Sequence, residues 1–277
     1  MSDKLHLQVT GVVETMLWPL YNRAVEARRR DAKLVDPEAV RIADSIDYDY
    51  AASFGKPNYG HVLRCLVIDR AIESWLEEHP DGVVVGLGEG LETQFSRVDN
   101  GRVRWLSVDV ENAIEVRKQF LPDTDRHRNF ACSALDFRWM DEVEGDQVFV
   151  TLAGLLMYFE PDEVRGLLCA IAERFPHSEM MFDVIPPWLS EKTQSAWKLT
   201  PNYTTPRMPW GILRDELPSI LEWHPNLAEI EQPPSPGRGR GFLFGFMLPI
   251  FECFPSLCNK MPTVARVRCR NAGSSES

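Results

Sequence analysis

The 277-residue sequence has no apolar run near the ~20 residues that a membrane-spanning helix requires. Its opening residues, MSDKLHLQVTG, lack the sustained apolar core and the small-residue cleavage site of a secretory signal peptide. We therefore expect a soluble protein that stays in the cytoplasm and has no membrane partner.

The sequence also has no excess of basic residues: its formal net charge is -11 at pH 7. Binding to nucleic acids or to anionic membranes depends on a basic surface. Two short basic runs, at 28–30 and 237–241, are interpreted as a solvated helix face and a loop. The charge balance therefore disfavours a nucleic-acid partner.

The six cysteines form no CxxC pair and show none of the spacings typical of zinc sites. They stand at positions 65, 132, 169, 253, 258 and 269, and several have apolar neighbours. We interpret them as reduced packing residues in a reducing compartment. No metal site is predicted.

The sequence does contain apolar, strand-like segments that alternate with polar helical ones. The first five are GVVVGLG, VRWLSVDV, HRNFACSALD, DQVFVTLAGLLMYF and EMMFDVI. NLAEIEQP and TVARVRCR have the character of a sixth and a seventh strand. This alternation predicts an α/β fold with a doubly wound, mostly parallel sheet and helices on both faces.

The pattern divides the chain into an N-terminal helical extension, residues 1–80, and an α/β domain, residues 81–277. In the extension, DPEAVRIAD predicts a helix that has Asp36 as its cap and Pro37 at its first position. Residues 186–225 are rich in Trp, Pro and Tyr, which predicts an inserted cap with an aromatic pocket surface. The final residues, NAGSSES, are expected to be disordered.

Parallel sheets bind ligands at the carboxyl ends of their strands. The first strand ends in a loop with Gly86, Gly88 and Gly90, the second ends at Asp109, and the third is followed by Asp136. The loop lets a ligand approach closely, the first carboxylate can accept hydrogen bonds from ribose hydroxyls, and the second can accept from an adenine amine. Each feature has a structural alternative, a tight turn or a helix cap. Together and in this order they predict a nucleoside site.

The loop lacks the GxGxxG spacing of dinucleotide sites, and Glu89 would repel a pyrophosphate, which argues against an NAD-dependent oxidoreductase. Arg64 falls on the apolar face of a predicted helix, where a guanidinium needs an anionic partner. That partner is either an internal carboxylate or the carboxylate of a bound amino-acid moiety. S-adenosylmethionine satisfies every feature, and its positive sulfonium would tolerate Glu89 and Glu92, one of which we expect to face it.

Five segments of the sequence resemble the tetracenomycin-type polyketide O-methyltransferases of the leucine carboxyl methyltransferase superfamily. They are ETMLWPLYNRAVEARRRDAKLVDP, HVLR, VVVGLGEGLETQFSRVDNGRVRWLSVDV, SALDFRWMD and LAGLLMYF. The resemblance extends over about residues 12–190. It implies a class I S-adenosylmethionine-dependent methyltransferase with a Rossmann-like sheet of seven strands, the last antiparallel. It also implies a helical extension and an inserted cap that forms the acceptor pocket.

The resemblance implies roles for individual residues as well. The cofactor-binding positions of the family correspond to Arg64, Gly86, Gly88, Gly90, Asp109, Leu135, Asp136 and Ala153. Arg64 would bind the methionyl carboxylate, the glycines would lie beneath the methionine, and Asp109 would bind the ribose. Leu135 and Asp136 would face the adenine. Because Ala153 stands where relatives have Glu or Gln, a polar contact is either missing or supplied from elsewhere.

The acceptor group decides which catalytic residues are needed. A carboxylate is ionised at pH 7 and needs only a cation or hydrogen-bond donor to orient it, whereas a phenol needs a base. The candidates for orienting an acceptor are Tyr21, Arg23, Tyr158 and Arg207. His61 alone among the histidines is close in sequence to a proposed cofactor residue. The lack of an obvious base favours methylation of a carboxylate on a small aromatic or polyketide-like acceptor.

Two alternatives stay open at this point. A protein C-terminal carboxyl methyltransferase would need an open groove for a peptide, and a non-catalytic nucleoside-binding module would bind the cofactor without transferring its methyl group. Ala153 is the residue that gives weight to the second alternative. The oligomeric state is left open.

Overall fold

A computed structural model describes residues 4–7, 10–234 and 254–270. The basic run at 237–241, Cys253 and the segment NAGSSES lie outside these residues. The helices are α1 (Leu17–Ala27), α2 (Pro37–Ser45), α3 (Tyr50–Phe54), α4 (Tyr59–Glu78), α5 (Gln94–Val98), α6 (Glu111–Phe120), α7 (Pro161–Arg174), α8 (Pro187–Thr193) and α9 (Pro255–Cys258). The strands are β1 (Val83–Leu87), β2 (Arg104–Asp109), β3 (His127–Ala131), β4 (Val148–Leu152), β5 (Glu179–Val184), β6 (Lys198–Thr200), β7 (Tyr203–Thr204), β8 (Leu227–Glu231) and β9 (Thr263–Cys269). Short 3-10 helices cover Val13–Met16, Phe137–Glu142, Leu156–Tyr158 and Arg214–Trp223.

Seven of the strands form one sheet in the order β3-β2-β1-β4-β5-β9-β8. Strands β1 to β5 pair in parallel, and β9 is antiparallel to both of its neighbours. The expected doubly wound, mostly parallel sheet with an antiparallel last strand is confirmed. The strand order reverses at β1, which lies between β2 and β4, and ligands of such sheets bind at that reversal.

Apolar sequence accounts for the central strands, because every residue of β1 and β4 is buried. The predicted fourth strand segment, residues 146–159, is longer than the observed strand. Strand β4 ends at Leu152 because Gly154 has a φ of 73°, and a 3-10 helix follows. The chain thus leaves the sheet at the carboxyl edge that carries the predicted site.

Helices cover both faces of the sheet, as predicted. On one face, Ile68 and Trp75 of α4 pack with Val84 and Phe149. On the other face, the apolar side of α7 contributes to the main core. In the first part of the chain, Asp36 caps α2 by accepting a hydrogen bond from the N–H of Ala39 at 2.9 Å, and Pro37 opens that helix. The predicted helix start is therefore confirmed.

Residues 186–225 hold α8, the hairpin β6–β7 and the 3-10 helix Arg214–Trp223. The hairpin contacts the N-terminal helices, because the Thr200 hydroxyl donates to the carbonyl of Ser53 at 2.8 Å. Among the described residues, no helix combines the length and the apolar composition needed to cross a bilayer.

Candidate active site

The loop that follows β1 depends on its glycines. Gly88 and Gly90 have φ angles of 63° and 49°, a region that favours glycine. A Cβ at Gly86 would come within 2.5 Å of the Glu89 side chain, and one at Gly88 would come within 2.6 Å of Leu155. Backbone conformation and crowding thus explain why glycine stands at all three predicted positions.

Two buried arginines hold the carbonyl groups of this loop. Nη1 of Arg117 donates to the carbonyls of Gly90 and Glu92, both at 2.8 Å, and Nη2 of Arg23 donates to the carbonyl of Leu91 at 2.7 Å. Both arginines are 1% exposed. Three successive carbonyl groups therefore point toward guanidinium groups, which fixes the loop from inside the protein.

The two glutamates of the loop are paired internally. Glu89 is buried with a carboxylate oxygen 3.1 Å from Nη2 of Arg117, and burial raises its pKa against the opposing effect of that arginine. Glu92 is largely buried, but Arg23 at 2.6 Å and Arg97 at 2.8 Å outweigh the effect of burial and lower its pKa to about 2. The expectation that one of these glutamates faces the cofactor is therefore wrong, since both carboxylates are neutralised by arginines.

Arg23, a candidate for orienting the acceptor, is also used inside the protein. Its Nε donates to Asp36 at 3.1 Å, its Nη1 to Glu92 at 2.6 Å and its Nη2 to the carbonyl of Leu91. It joins α1 and the cap of α2 to the glycine loop. Arg23 is thus a structural residue, and the hypothesis that it contacts an acceptor is withdrawn.

Asp109 ends β2 beside the glycine loop. Its Oδ2 accepts from the N–H of Gly90 at 2.7 Å and its Oδ1 from the N–H of Val110 at 2.8 Å. Burial raises the pKa of Asp109, and these two hydrogen bonds oppose the rise. Each carboxylate oxygen has a further lone pair, so a ligand hydroxyl can donate to it. Binding of a ribose at Asp109 stays a prediction with a suitable geometry.

The predicted adenine contacts follow β3. Asp136 caps the 3-10 helix Phe137–Glu142, and its Oδ2 accepts from the guanidinium of Arg138 at 2.8 and 2.6 Å. Its side chain is 41% exposed, and Leu135 is partly buried against the main core. The helix cap that the sequence allowed is thus present, and the adenine contact of both residues stays a prediction.

Arg64 lies on α4 and reaches the carboxyl end of β5. Its Nη1 donates to Oδ2 of Asp183 at 2.9 Å, so the internal carboxylate that the sequence allowed is present. Its Nε is buried and has no hydrogen-bond partner among the described residues. An N–H group of this kind can donate to an anionic ligand, and binding of the cofactor carboxylate by Arg64 stays a prediction.

Asp183 also brings a carboxylate to the end of β4, where Ala153 offers no polar side chain. Its Oδ1 accepts from the N–H of Gly154. A Cβ at Gly154 would lie 2.8 Å from Nη1 of Arg64, so glycine keeps room for the arginine. The neighbouring strand β5 thus supplies a polar group at this strand end.

Tyr158 ends the 3-10 helix that follows β4. It lies close to Thr15, and close enough to Arg64 and Asp183 for their charges to act on it. Burial raises the pKa of Tyr158 to about 12, so its hydroxyl stays protonated at neutral pH. Tyr158 is thus an acceptor candidate that lies beside Arg64, a predicted cofactor residue.

The other two candidates lie elsewhere. Tyr21 stacks on Tyr50 with ring centroids 5.5 Å apart and donates to the carbonyl of Gly55 at 3.4 Å. Arg207 is exposed in the cap, where its Nε donates to Gln194 at 2.8 Å. Their roles toward an acceptor stay predictions, and these contacts bring neither of them to the strand ends.

His61 is held as a neutral ring. Asn22 accepts from the N–H of Asn58 at 2.9 Å through its Oδ1, so its Nδ2 must donate to Nδ1 of His61. The ring proton is then on Nε2. Burial lowers the pKa of His61 to about 3, and the charges of Arg64 and Arg23 add to this effect.

We predict that the protein loses stability as the pH falls from 6.5 to about 5. The unfolded chain takes up a proton at His61 in this range and the folded chain does not, since its pKa is lowered from 6.5 to about 3. His127, whose pKa burial also lowers to about 3, acts in the same direction. Urea unfolding at several pH values should show a falling midpoint, and His61→Gln should reduce that fall. An equal fall in both proteins would contradict the assignment.

We also predict that Gly90→Ala destabilises the protein by about 1–2 kcal/mol, because its φ of 49° is unfavourable for an L side chain. In addition, the new Cβ would come within 2.7 Å of the Cβ of Met16. Gly101→Ala is the matched control, since Gly101 has a φ of 81° and nothing within 4 Å. Both variants should lower the thermal midpoint, but only Gly90→Ala should weaken S-adenosylhomocysteine binding. Equal binding by the two variants would show that the loop is not part of the site.

Sequence reasoning missed two residues of this region. Asp183 is an acidic residue inside the apolar strand segment EMMFDVI, and Arg117 is a basic residue on the buried side of α6. A charge within an otherwise apolar element is the signal that would have found both, as it found Arg64.

The chain is similar in sequence and in fold to known methyltransferases. No family model matches the chain. The tetracenomycin polyketide synthesis O-methyltransferase TcmP of Streptomyces glaucescens is 31% identical over 186 residues, which cover 66% of this chain and 69% of that protein. The S-adenosyl-L-methionine-dependent methyltransferase dpfgK of Gibberella zeae is 27% identical over 206 residues, which cover 65% and 68% of the two chains. The CurJ carbon methyltransferase has a TM-score of 0.51 at 10% identity, over 94% of this chain and 70% of that one.

The similarity to CurJ concerns the fold alone, whereas TcmP matches in sequence over two thirds of each chain. The sheet order, the antiparallel last strand and the glycine loop beside Asp109 agree with the family that the sequence motifs resemble. The chain therefore belongs to the tetracenomycin-type polyketide O-methyltransferase family, within the class I S-adenosylmethionine-dependent methyltransferases.

Proposed function

We propose that this protein methylates a carboxylate on a small aromatic or polyketide-like acceptor. The observation that carries the proposal is the chemistry beside the predicted cofactor residues: Tyr158 is a protonated hydrogen-bond donor, and His61 is a poor base. A relative whose name places it in polyketide synthesis supports the choice of acceptor.

The residues at the strand ends fit S-adenosylmethionine. Arg64 has a buried Nε without a partner in the described residues, and would hold the carboxylate of the methionine moiety. Asp109 would accept from the ribose hydroxyls, and Asp136 with Leu135 would contact the adenine. When bound, S-adenosylmethionine supplies an electrophilic methyl group on a positively charged sulfur. The protein contributes orientation of the acceptor and exclusion of water.

His61 argues against a phenol as acceptor. A phenol has a pKa near 10 and must lose its proton to react at neutral pH. In His61, Nδ1 is occupied by the amide of Asn22, Nε2 carries the proton, and the pKa is lowered to about 3. This histidine is thus a hydrogen-bond donor. A carboxylate brings no proton to remove and needs only such donors.

Tyr158 is the residue we assign to orienting that carboxylate. Its hydroxyl keeps its proton at neutral pH because burial raises its pKa to about 12. Tyr158→Phe should raise the KM for the acceptor without changing the affinity for S-adenosylhomocysteine.

A small acceptor fits better than a peptide C-terminus. Tyr203 of the cap packs edge-on against Phe54 of α3 with centroids 4.9 Å apart, and the Thr200 hydroxyl donates to the carbonyl of Ser53. These contacts bring the cap hairpin and the N-terminal helices together, and the two would have to separate further to admit a peptide than to admit a flat small molecule.

The test is a comparison of matched acceptors. Purified protein is incubated with S-adenosylmethionine and either 2-naphthoic acid or 2-naphthol, and the products are separated and treated with alkali. We expect transfer to the acid, an alkali-labile ester, and a kcat that is constant between pH 6 and 9.

An alkali-stable ether as the main product, with a rate that rises with pH, would contradict the carboxylate assignment. Competition by C-terminal peptides against the naphthoic acid would favour the protein methyltransferase instead. Binding of the cofactor without transfer to any acid or phenol would support the non-catalytic alternative.

A further inference from the structure

Among the buried polar atoms that have no hydrogen-bond partner in the described residues, two belong to neighbouring aromatic side chains. They are Nε1 of Trp18 and the hydroxyl oxygen of Tyr203. Tyr203 is only 3% exposed, so water does not reach its hydroxyl. Buried donors nearly always have partners in native proteins, and two in one place indicate that a ligand supplies them.

Both atoms belong to one aromatic cluster. Trp18 stacks on Phe54 at 5.7 Å and meets Tyr203 edge-on at 6.2 Å, and Phe54 meets Tyr203 at 4.9 Å. The His61 and Trp18 rings meet edge-on, with their centroids 5.2 Å apart. We call these four residues the aromatic cluster. Three of its residues come from the N-terminal helices and one comes from the cap hairpin.

The aromatic cluster borders the predicted cofactor site. Met16, two residues before Trp18, lies against Gly90 of the glycine loop. His61 is close enough to Arg64 for that charge to act on it, and Tyr158 is similarly close to both Arg64 and Tyr203. An acceptor in contact with the cluster would therefore lie next to Arg64 and the loop.

The hydroxyl of Tyr48, in the same region, has a hydrogen-bond partner, unlike the Tyr203 hydroxyl and the Trp18 N–H. Tyr48 packs on Phe54 at 5.7 Å, but its hydroxyl donates to Glu14 at 2.8 Å. Burial in apolar surroundings thus does not by itself leave a tyrosine unpaired here. The contrast singles out Tyr203 and Trp18 as donors that are kept for something outside the protein.

We propose that Trp18 and Tyr203 are the specificity-determining residues of the acceptor site. The indole N–H and the phenol O–H would both donate to oxygen atoms of a flat aromatic acceptor, which would lie between the cap hairpin and α3. Entry of the acceptor requires these two elements to separate, which would break the hydrogen bond from Thr200 to Ser53 and the contact between Tyr203 and Phe54. The proposal rests on the proposed function, because it concerns the acceptor of that reaction.

The test uses Tyr203→Phe and Trp18→Phe, with Tyr48→Phe as the matched control. The dissociation constant of 2-naphthoic acid is measured by fluorescence on the protein saturated with S-adenosylhomocysteine. We expect Tyr203→Phe and Trp18→Phe each to weaken this binding about tenfold, as the loss of one hydrogen bond to a charged group should do. Tyr48→Phe should change it less than about twofold. The affinity for S-adenosylhomocysteine should be the same in all four proteins.

The thermal midpoint of the ligand-free protein gives a second, independent readout. If the Tyr203 hydroxyl has no internal partner, Tyr203→Phe should leave this midpoint unchanged or raise it, whereas Tyr48→Phe should lower it. The proposal would be overturned if Tyr203→Phe clearly lost stability or bound 2-naphthoic acid as well as the wild type does. It would also be overturned if the wild type did not bind 2-naphthoic acid. Wild-type protein that fails to bind S-adenosylhomocysteine would instead overturn the proposed function. If the protein methylates 2-naphthol, and Tyr203→Phe binds 2-naphthol about tenfold more weakly than the wild type, this proposal stands. Only the assignment of a carboxylate as the methylated group would then be rejected.

Discussion

Asp109→Ala is expected to weaken the binding of S-adenosylhomocysteine about 100-fold. A hydrogen bond to a charged group contributes about 1.5 kcal/mol, and each 1.4 kcal/mol is about tenfold in affinity. A ribose offers two hydroxyl donors, so both bonds would be lost. The N–H of Gly90 would also lose its acceptor at 2.7 Å, which loosens the loop. Isothermal titration calorimetry measures the change directly.

Asp109→Asn is the control, because it keeps the size of the side chain and one acceptor oxygen while removing the charge. Its affinity should fall between those of the wild type and the alanine variant. Asp136→Ala provides a second comparison, since its partly exposed carboxylate is expected to contribute less. Unchanged affinity in a folded Asp109→Ala protein would show that the ribose is not bound there.

Arg64→Leu is expected to weaken S-adenosylhomocysteine binding about 30-fold and adenosine binding less than twofold. Only the first ligand has the amino-acid carboxylate that the guanidinium would bind. The split between the two ligands separates a cofactor-binding role from a purely structural one, because loss of structure would weaken both.

The ion pair with Asp183 complicates this substitution, since Arg64→Leu alone leaves a largely buried carboxylate unpaired. The double variant Arg64→Leu with Asp183→Asn removes both charges and serves as the control. The larger loss of affinity for S-adenosylhomocysteine than for adenosine should persist in it. If the double variant regains wild-type affinity for both ligands, Arg64 serves only to neutralise Asp183.

Local sequence patterns predict the strands of the sheet and the order in which the glycine loop and Asp109 follow successive strands. Buried strands such as β1 are continuous apolar runs, and a glycine loop followed by Asp109 at the next strand end needs no knowledge of distant contacts. The hydrogen bond from Gly90 to Asp109 bears out that the two lie together. Their contact with a cofactor is the part that stays to be measured.

Pairings between distant residues were not predictable in the same way. Arg64 was correctly identified as a buried charge, but its partner Asp183 is 119 positions away in the sequence. The sequence predicts an acceptor role for Arg23, because it is a cation near the expected mouth of the sheet. Its partner Glu92 is 69 positions away, and only the folded chain shows that this arginine is already paired.

The loop glutamates illustrate a second limit. Glu89 was interpreted by its charge alone, as a residue that would repel phosphate, because the sequence does not show which way a side chain in a turn points. In the fold it lies beneath the loop and meets Arg117. The absence of the third glycine of the dinucleotide spacing is therefore the sounder of the two arguments against NAD.

A calorimetric titration of the purified protein with S-adenosylhomocysteine, with NAD in a parallel experiment, tests the central claim most directly. Binding at the ends of β1 and β2 predicts micromolar affinity for S-adenosylhomocysteine at one site per chain and no heat from NAD. Binding of NAD, or no binding of S-adenosylhomocysteine either alone or with 2-naphthoic acid present, would contradict the assignment of these strand ends to the cofactor.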